Sequence, residues 1–259
     1  ITKSIKMLPQ LMKSQNKLVV AGTLLSQEIK SLGNFGRKII NQPKKTVVIA
    51  GGSKVSDKIA VLKQFVHTEV KAIFIGGKMV NAFLLAQNSK SKMKTFGISD
   101  IPGNLVSSSD EANHNLVNEV SLAAEILDFA INKKVDLIFP QDYKCVNEFK
   151  SPKYFIKTKP NFEKELQLDL GPKTIESFKN TILSDGIENI IWNGPLGAYD
   201  HPTNPDYIEG SLELAQLLFE EALTNPSFSV VIGGGDSAAI LNKIGTNQIK
   251  NLIRRCIEK

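Results

Sequence analysis

Five short apolar runs rich in β-branched residues constrain this 259-residue chain more than any other feature: residues 46–50 (TVVIA), 72–75 (AIFI), 135–139 (VDLIF), 188–192 (ENIIW) and 229–232 (SVVI). Such short, near-continuous apolar runs mark strands buried on both faces, as in parallel sheets. Four of them run straight into small or polar residues: Gly51-Gly52, Gly76-Gly77, Asn193-Gly194-Pro195 and Gly233-Gly234-Gly235-Asp236. The fifth ends at Pro140-Gln141-Asp142.

The segments between them carry helical spacing. Val55, Ile59, Leu62 and Val66 share one face, as do Leu116, Val120, Ala123, Leu127 and Ile131. Ile175, Phe178 and Ile182 follow Gly171-Pro172, with proline where a first helical turn tolerates it. Residues 211–223 read as a further helix, and 236–244 as a short one closed by Gly245. Alternating strand and helix predicts an α/β fold: a doubly wound, mainly parallel β-sheet flanked by helices, with ligands in the crevice beyond the strands' carboxyl ends. Residues 18–43 form a separate helix with Leu24, Leu25, Ile29 and Leu32 on one side. Residues 87–113, dominated by Ser, Lys, Asn and Asp, are expected as a surface loop.

Composition excludes several classes. With 42% hydrophobic and 22% charged residues the chain is neither disordered nor collagen-like. No apolar run approaches the roughly 18 residues of a membrane span, so a soluble chain is expected. Two cysteines, Cys145 and Cys256, make no disulfide framework. Free thiols in a reducing compartment are expected, the cytoplasm first and an organelle matrix as the alternative. The net charge of +6 is uneven: residues 1–58 hold eleven Lys/Arg against two acids, a net +9, leaving −3 for the rest. That basic stretch holds one aromatic, Phe35, and no nucleic-acid-binding module, so a phosphate-handling face or a solvated surface explains it better. No nucleic-acid partner is expected.

Three segments have the residue types for chemistry. In GGSKVSDK, residues 51–58, Lys54 and Lys58 would fall on one face of a helix's first turns, where the macrodipole disfavours cations. A bound anion, held by free N–H groups and close-approaching glycines, would reverse that penalty; two solvated lysines compensated by Asp57 are the plainer reading. In residues 233–238 a strand meets a helix through three glycines, and Asp236 is either an N-cap or, beside nucleotide phosphates, a ligand for Mg²⁺. The segment formally satisfies G-x-G-x-x-A, but no second strand with an acidic residue follows before Lys259, which disfavours a dinucleotide-dependent oxidoreductase. Residues 190–200 (IIWNGPLGAYD) are a plain turn or part of the same crevice. His67, His114 and His201 are isolated, and neither a zinc-site spacing nor a G-x-S-x-G motif occurs.

These residues resemble those of the carboxyl-terminal, nucleotide-binding domain of phosphoglycerate kinases. The matching motifs are GGSKVSDKI from Gly51, IGGKM from Ile75, LDLGPKTIESF from Leu168, IIWNGPLGAYD from Ile190 and IGGGDSAA from Ile232, in the family's order. The segment AGTLLSQEIKSLGNF from Ala21 is similar to the interdomain helix that precedes this domain. The resemblance covers roughly residues 8–250. It implies an interdomain segment over 1–43 and a nucleotide-binding α/β domain over 44–259, one lobe of a two-lobed kinase. The opening residue, Ile1 rather than Met, fits a chain that is part of a longer protein.

The implied activity is reversible phosphoryl transfer between 1,3-bisphosphoglycerate and Mg-ADP, giving 3-phosphoglycerate and Mg-ATP. Lys58 would neutralise the transferring phosphoryl group, with Lys54 beside it, and Gly233, Gly234 and Gly235 with Asn193 would line the phosphate path. Asp236 would ligate Mg²⁺. Gly51, Gly52, Ser53, Gly76, Gly77, Gly194, Pro195 and Ser237 would border the nucleotide, Leu168 would pack near the base, and Asp200 would take the place of the ribose-binding acid. Binding of 3-phosphoglycerate would need the family's amino-terminal domain, so these residues alone are expected to be inactive. The sequence departs from the family at Lys78, where a third glycine is usual; at Asp200, where Glu is usual; and at 251–256 (NLIRRC), in place of a second glycine-rich helix start. Those departures motivate an alternative: an inactive module of this family with a structural or assembly role.

Overall fold

The computed structural model describes residues 12, 14, 15, 23–91, 97–101, 105, 107–158, 160, 164–201, 205–237 and 240. Residues 18–22 of the first expected helix, the side chains of Leu24 and Leu25, residues 241–245 of the last helix, Cys256 and the segment 251–256 lie outside the described residues. The chain divides into two compact units, Ile1–Asn41 and Gln42–Lys259. Within the first, helix α1 spans Thr23–Asn41. Its side chains at Phe35 and Ile39 are buried, whereas Ile29, Leu32 and Ile40 are exposed.

The second unit is built on a five-stranded, all-parallel sheet. Its strands are β1 (Thr46–Ala50), β2 (Ala72–Ile75), β3 (Asp136–Ile138), β7 (Asn189–Asn193) and β8 (Ser229–Gly233), in spatial order β3-β2-β1-β7-β8. The chain starts in the centre, moves outward through β2 and β3, then returns to the other side of β1. This places the topological switch point between β1 and β7, where open α/β sheets bind their ligands. Register aligns the strand ends: Ala50 pairs with Ile75 and with Asn193, and Asn193 with Gly233. Four glycine-bearing turns therefore emerge along one edge.

Alternation decides which helices meet which face. Val47, Ile49, Ala72, Phe74, Ile190 and Trp192 form a core with Ile175, Phe178 and Ile182 of α5 (Pro172–Ile182) and Leu214, Ala215 and Leu218 of α6 (Glu209–Thr224). Phe74 and Phe178 stack at 4.0 Å between ring centroids. The alternate residues Val48, Ile73 and Ile75 point the other way and are also fully buried, so both faces are covered. Helices α2 (Ile59–His67) and α3 (Val80–Ser91) both pack on α4 (Asp110–Lys133).

Four features differ from the sequence reading. The expected loop over 87–113 is helical at both ends: α3 runs on to Ser91, tied by Lys90 to Asp128 and to the Ala124 carbonyl, and α4 begins at Asp110 behind the N-cap Ser109. No apolar stripe marks those ends, because polar side chains hold them. Helix α2 starts at Ile59, so Lys54 and Lys58 are not stacked on its first turns. There the Glu119 carboxylate accepts the N–H groups of Val55 and Ser56 and keeps residues 52–58 in a turn. A second sheet was not expected: β4 (Tyr143–Val146), β5 (Phe155–Lys157) and β6 (Leu166–Leu170) pair antiparallel in the order β5-β4-β6. Finally, β7 ends at Asn193, one residue later than expected, so the Asn193 side chain belongs to a strand end.

Candidate active site

Three turns at the carboxyl edge are laced together through their backbones. Gly51 N–H donates to the Asn193 carbonyl (2.9 Å), Gly52 N–H to the Pro195 carbonyl (2.9 Å) and Gly77 N–H to the Leu196 carbonyl (3.1 Å), while Met79 N–H donates to the Gly52 carbonyl (3.0 Å). The approach is close at Gly51, where a Cβ would stand 2.1 Å from the Pro195 carbonyl oxygen, and at Gly194, whose φ is +97° and where a Cβ would stand 2.3 Å from the Gly51 carbonyl oxygen. The indole N–H of buried Trp192 donates to the Gly194 carbonyl (2.7 Å), and the Gly194 N–H donates to Ser237 Oγ (2.9 Å). Ser237 is buried, and its hydroxyl pins this turn to the chain that follows β8.

On that scaffold the predicted residues fall into three groups. Gly52, Ser53, Gly77, Leu168, Pro195, Asp200 and Asp236 line a cavity of about 730 Å³. Lys58, Asn193, Gly233 and Gly234 gather at the ends of β7 and β8: Lys58 Nζ donates to Asn193 Oδ1, and a Cβ on Gly233 would lie 3.3 Å from Asn193 Nδ2. Among the described residues nothing lies within 4 Å of where a Cβ on Gly235 would stand. Gly51, Gly76, Gly194 and Ser237 make the contacts between turns. Lys54 is exposed on the turn before α2.

Lys78, already singled out in the sequence as a departure from the family, lines the cavity with its side chain exposed. The wall also contains groups the sequence reading did not single out: Leu105, Glu119 and Phe149 contribute from elsewhere in the chain. The Tyr199 hydroxyl donates to Asp236 Oδ1 (2.8 Å), a bond that pushes the phenol's pKa upward because ionisation would set two negative charges together. Behind the wall Lys144 reaches the carboxylates of Asp169 (3.6 Å) and Glu209. Asp169 lies within the quoted LDLGPKT segment; Lys144 and Glu119 left no sequence signal, since their partners are far away in the chain.

Among the described residues no three His, Cys, Asp or Glu side chains converge on a metal-sized site. Asp236 presents one exposed carboxylate beside the glycine turn that follows β8. That arrangement suits a hard divalent cation taking one or two carboxylates and completing its shell with phosphate oxygens and water. Among the described residues no helix is long and apolar enough to cross a membrane.

Comparison with known proteins agrees with this geometry. A sequence model of the family described as phosphoglycerate kinase matches residues 2–253. The phosphoglycerate kinase of Lactobacillus delbrueckii subsp. lactis is 34% identical over 235 residues, covering 90% of this chain and 50% of that protein. That of Thermosipho africanus is 34% identical over 232 residues, covering 87% and 50%. The chain spans about half the length of the curated relatives it matches. Among solved structures, the Coxiella burnetii phosphoglycerate kinase superimposes with a TM-score of 0.64 at 25% identity, over 87% of this chain and 51% of that one. The Pyrococcus horikoshii enzyme shares the fold, with a TM-score of 0.64 at 20% identity over 94% and 59%. With its strand order, its glycine-laced carboxyl edge and a match over nearly its whole length, the chain belongs to the phosphoglycerate kinase family.

Proposed function

We propose that this chain is the nucleotide-binding lobe of a phosphoglycerate kinase, and that the complete protein transfers a phosphoryl group reversibly between 1,3-bisphosphoglycerate and Mg-ADP. The carrying observation is the meeting of Lys58 with Asn193 at the β1–β7 switch point, beside the glycine turn after β8 and next to the cavity that Asp236 borders. Phosphoryl transfer rests on positioning and charge stabilisation, and a lysine held by a neutral amide keeps its full charge for phosphate oxygens.

In this reading Leu168 packs against the base and Asp200 faces the ribose. Gly233, Gly234 and Gly235 leave the backbone open to phosphates, and Lys58, with Lys54 nearby, neutralises the group in transit. Asp236 would hold Mg²⁺, which offsets phosphate charge when bound. Gly51, Gly76, Gly194 and Ser237 serve by holding the turns rather than by touching nucleotide. Residues 1–43 form the interdomain segment, and 3-phosphoglycerate binds only where an amino-terminal domain is present.

Calorimetry of the 259-residue chain with Mg-ADP tests the nucleotide reading, and ADP phosphorylation by the full-length protein tests the activity. Micromolar to millimolar Mg-ADP binding is expected. A second reading, a family member kept for assembly without catalysis, is favoured by Lys78 standing in the cavity wall. Absence of Mg-ADP binding, with binding restored by Lys78→Gly, would select it.

A further inference from the structure

We propose that Lys144 is a positioning residue for the nucleoside side of the cavity, acting by fixing the Asp169 carboxylate that clamps three pieces of the cavity wall together. The inference rests on the reading of that cavity as a nucleotide site. The pieces are β6, the 195–200 loop and the start of α6, and Asp169 touches all three. It lies in β6 between Leu168 and Leu170; its Oδ2 accepts the Gly210 N–H at 3.0 Å; and a Cβ on Gly197 would stand only 2.4 Å from its Oδ1. The loop is tied back to the strand by the Ala198 N–H, which donates to the Leu168 carbonyl at 2.7 Å.

Lys144 is itself almost wholly buried, with 5% of its side chain exposed. It donates to the Asp206 carbonyl (3.1 Å) and to the Glu209 carboxylate, and its ammonium lies 4.9 Å from the centre of the Tyr154 ring. A buried cation with three anchors from other elements is a costly feature unless its charge is used. Here it faces a carboxylate with no exposed side-chain surface, whose Oδ1 has no hydrogen-bond partner among the described residues. The charged groups around Asp169 are Lys144 from β4 and Glu209 from α6; the 195–200 loop presents Gly197, which has no side chain.

An ionised Asp169 attracts Lys144 and accepts a charge-assisted bond from Gly210, whereas a protonated one weakens both. Burial raises this carboxyl to about 6, Lys144 pulls it down and Glu209 pushes it up. Burial outweighs both attractions, so the closed wall holds this proton more tightly than an opened wall with an ordinary carboxyl; the clamp loosens as pH rises through that value, and Lys144 limits the loosening by holding the ionised carboxylate. Removing the two neighbours must move the transition in opposite directions, a signature that loss of structure alone does not produce.

The test uses the 259-residue chain with adenosine, which carries no phosphate to titrate and needs no metal. Adenosine affinity measured by NMR titration is expected to be level near pH 8 and to rise at least about threefold by pH 5. Lys144→Met should shift the midpoint upward, Glu209→Gln should shift it downward, Lys144→Arg should restore it, and Asp169→Asn should abolish the dependence. A level wild-type profile, or shifts of the same sign in Lys144→Met and Glu209→Gln, overturns the proposal. If adenosine fails to bind at any pH, the nucleotide reading of the cavity fails. The clamp is then judged without ligand by hydrogen exchange at the Gly210 and Ala198 amides, corrected for intrinsic rates. Protection that falls as pH rises through about 6 in the wild type but not in Asp169→Asn supports it, and unchanged protection overturns it.

Discussion

Lys58 and Gly194 illustrate two ways in which single residues serve this site. Lys58 donates to Asn193 at the switch point, and the proposed transfer uses its charge. Lys58→Ala in the full-length protein is expected to lower kcat by about 10²-fold or more, with far-ultraviolet circular dichroism unchanged. Gly194 is needed for shape. At φ +97°, with a Cβ 2.3 Å from the Gly51 carbonyl, Gly194→Ala combines a disfavoured backbone with a backbone clash. It should cost about 2–3 kcal/mol in denaturant unfolding. Sequence reasoning found both residues but could not separate their roles. A glycine that admits phosphate and a glycine that admits a neighbouring turn look identical in one dimension.

At the scale of elements, hydrophobic spacing revealed the parallel strands and most of the helices, because burial on both sheet faces leaves apolar runs that nothing else explains. It missed the start of α2, since what keeps residues 52–58 out of the helix is Glu119, 64 positions away. Glu119→Ala leaves the N–H of buried Val55 without its acceptor and should cost about 1–3 kcal/mol, read from thermal unfolding. The β5-β4-β6 sheet escaped because its strands are short, although Leu166, Leu168 and Leu170 alternate in β6. Its buried acid makes stability depend on pH. Asp169 rises from an ordinary 3.8 to about 6, so the folded chain holds this proton more tightly than the unfolded one. Its contribution to stability is full below about pH 4 and is lost as pH rises through about 6. Relative to Asp169→Asn, the wild type should lose about 3 kcal/mol between pH 4 and 7, measured by urea unfolding at each pH.

For the whole molecule, the decisive fact is that the chain spans about half the length of the phosphoglycerate kinases it matches. In the proposed reading this half binds nucleotide, and holding the second substrate in line needs the other half. Orientation of two reactants supplies roughly 7–11 kcal/mol, so turnover by these 259 residues should lie at least about 10⁵-fold below that of the full-length protein in a coupled ATP assay. The uneven charge also gains a place: Lys58, within the basic first 58 residues, stands at the switch point, whereas Lys45 is spent on an ion pair with Glu188 at the opposite end of β1 and β7.

The strand order also bears on how the chain assembles. β1 meets β2 through a single intervening helix, but its other neighbour arrives from far along the chain; the Lys45–Glu188 pair beside the β1–β7 seam spans 143 positions. Contacts of such separation form late, because the loop between them must be ordered first. The β1–β2–β3 half can assemble on the ribosome well before β7 emerges, and the proposed nucleotide site is completed by the strand that closes the sheet. Nucleotide binding would then report on the finished fold, and a chain arrested one step earlier would be compact yet blind to its ligand.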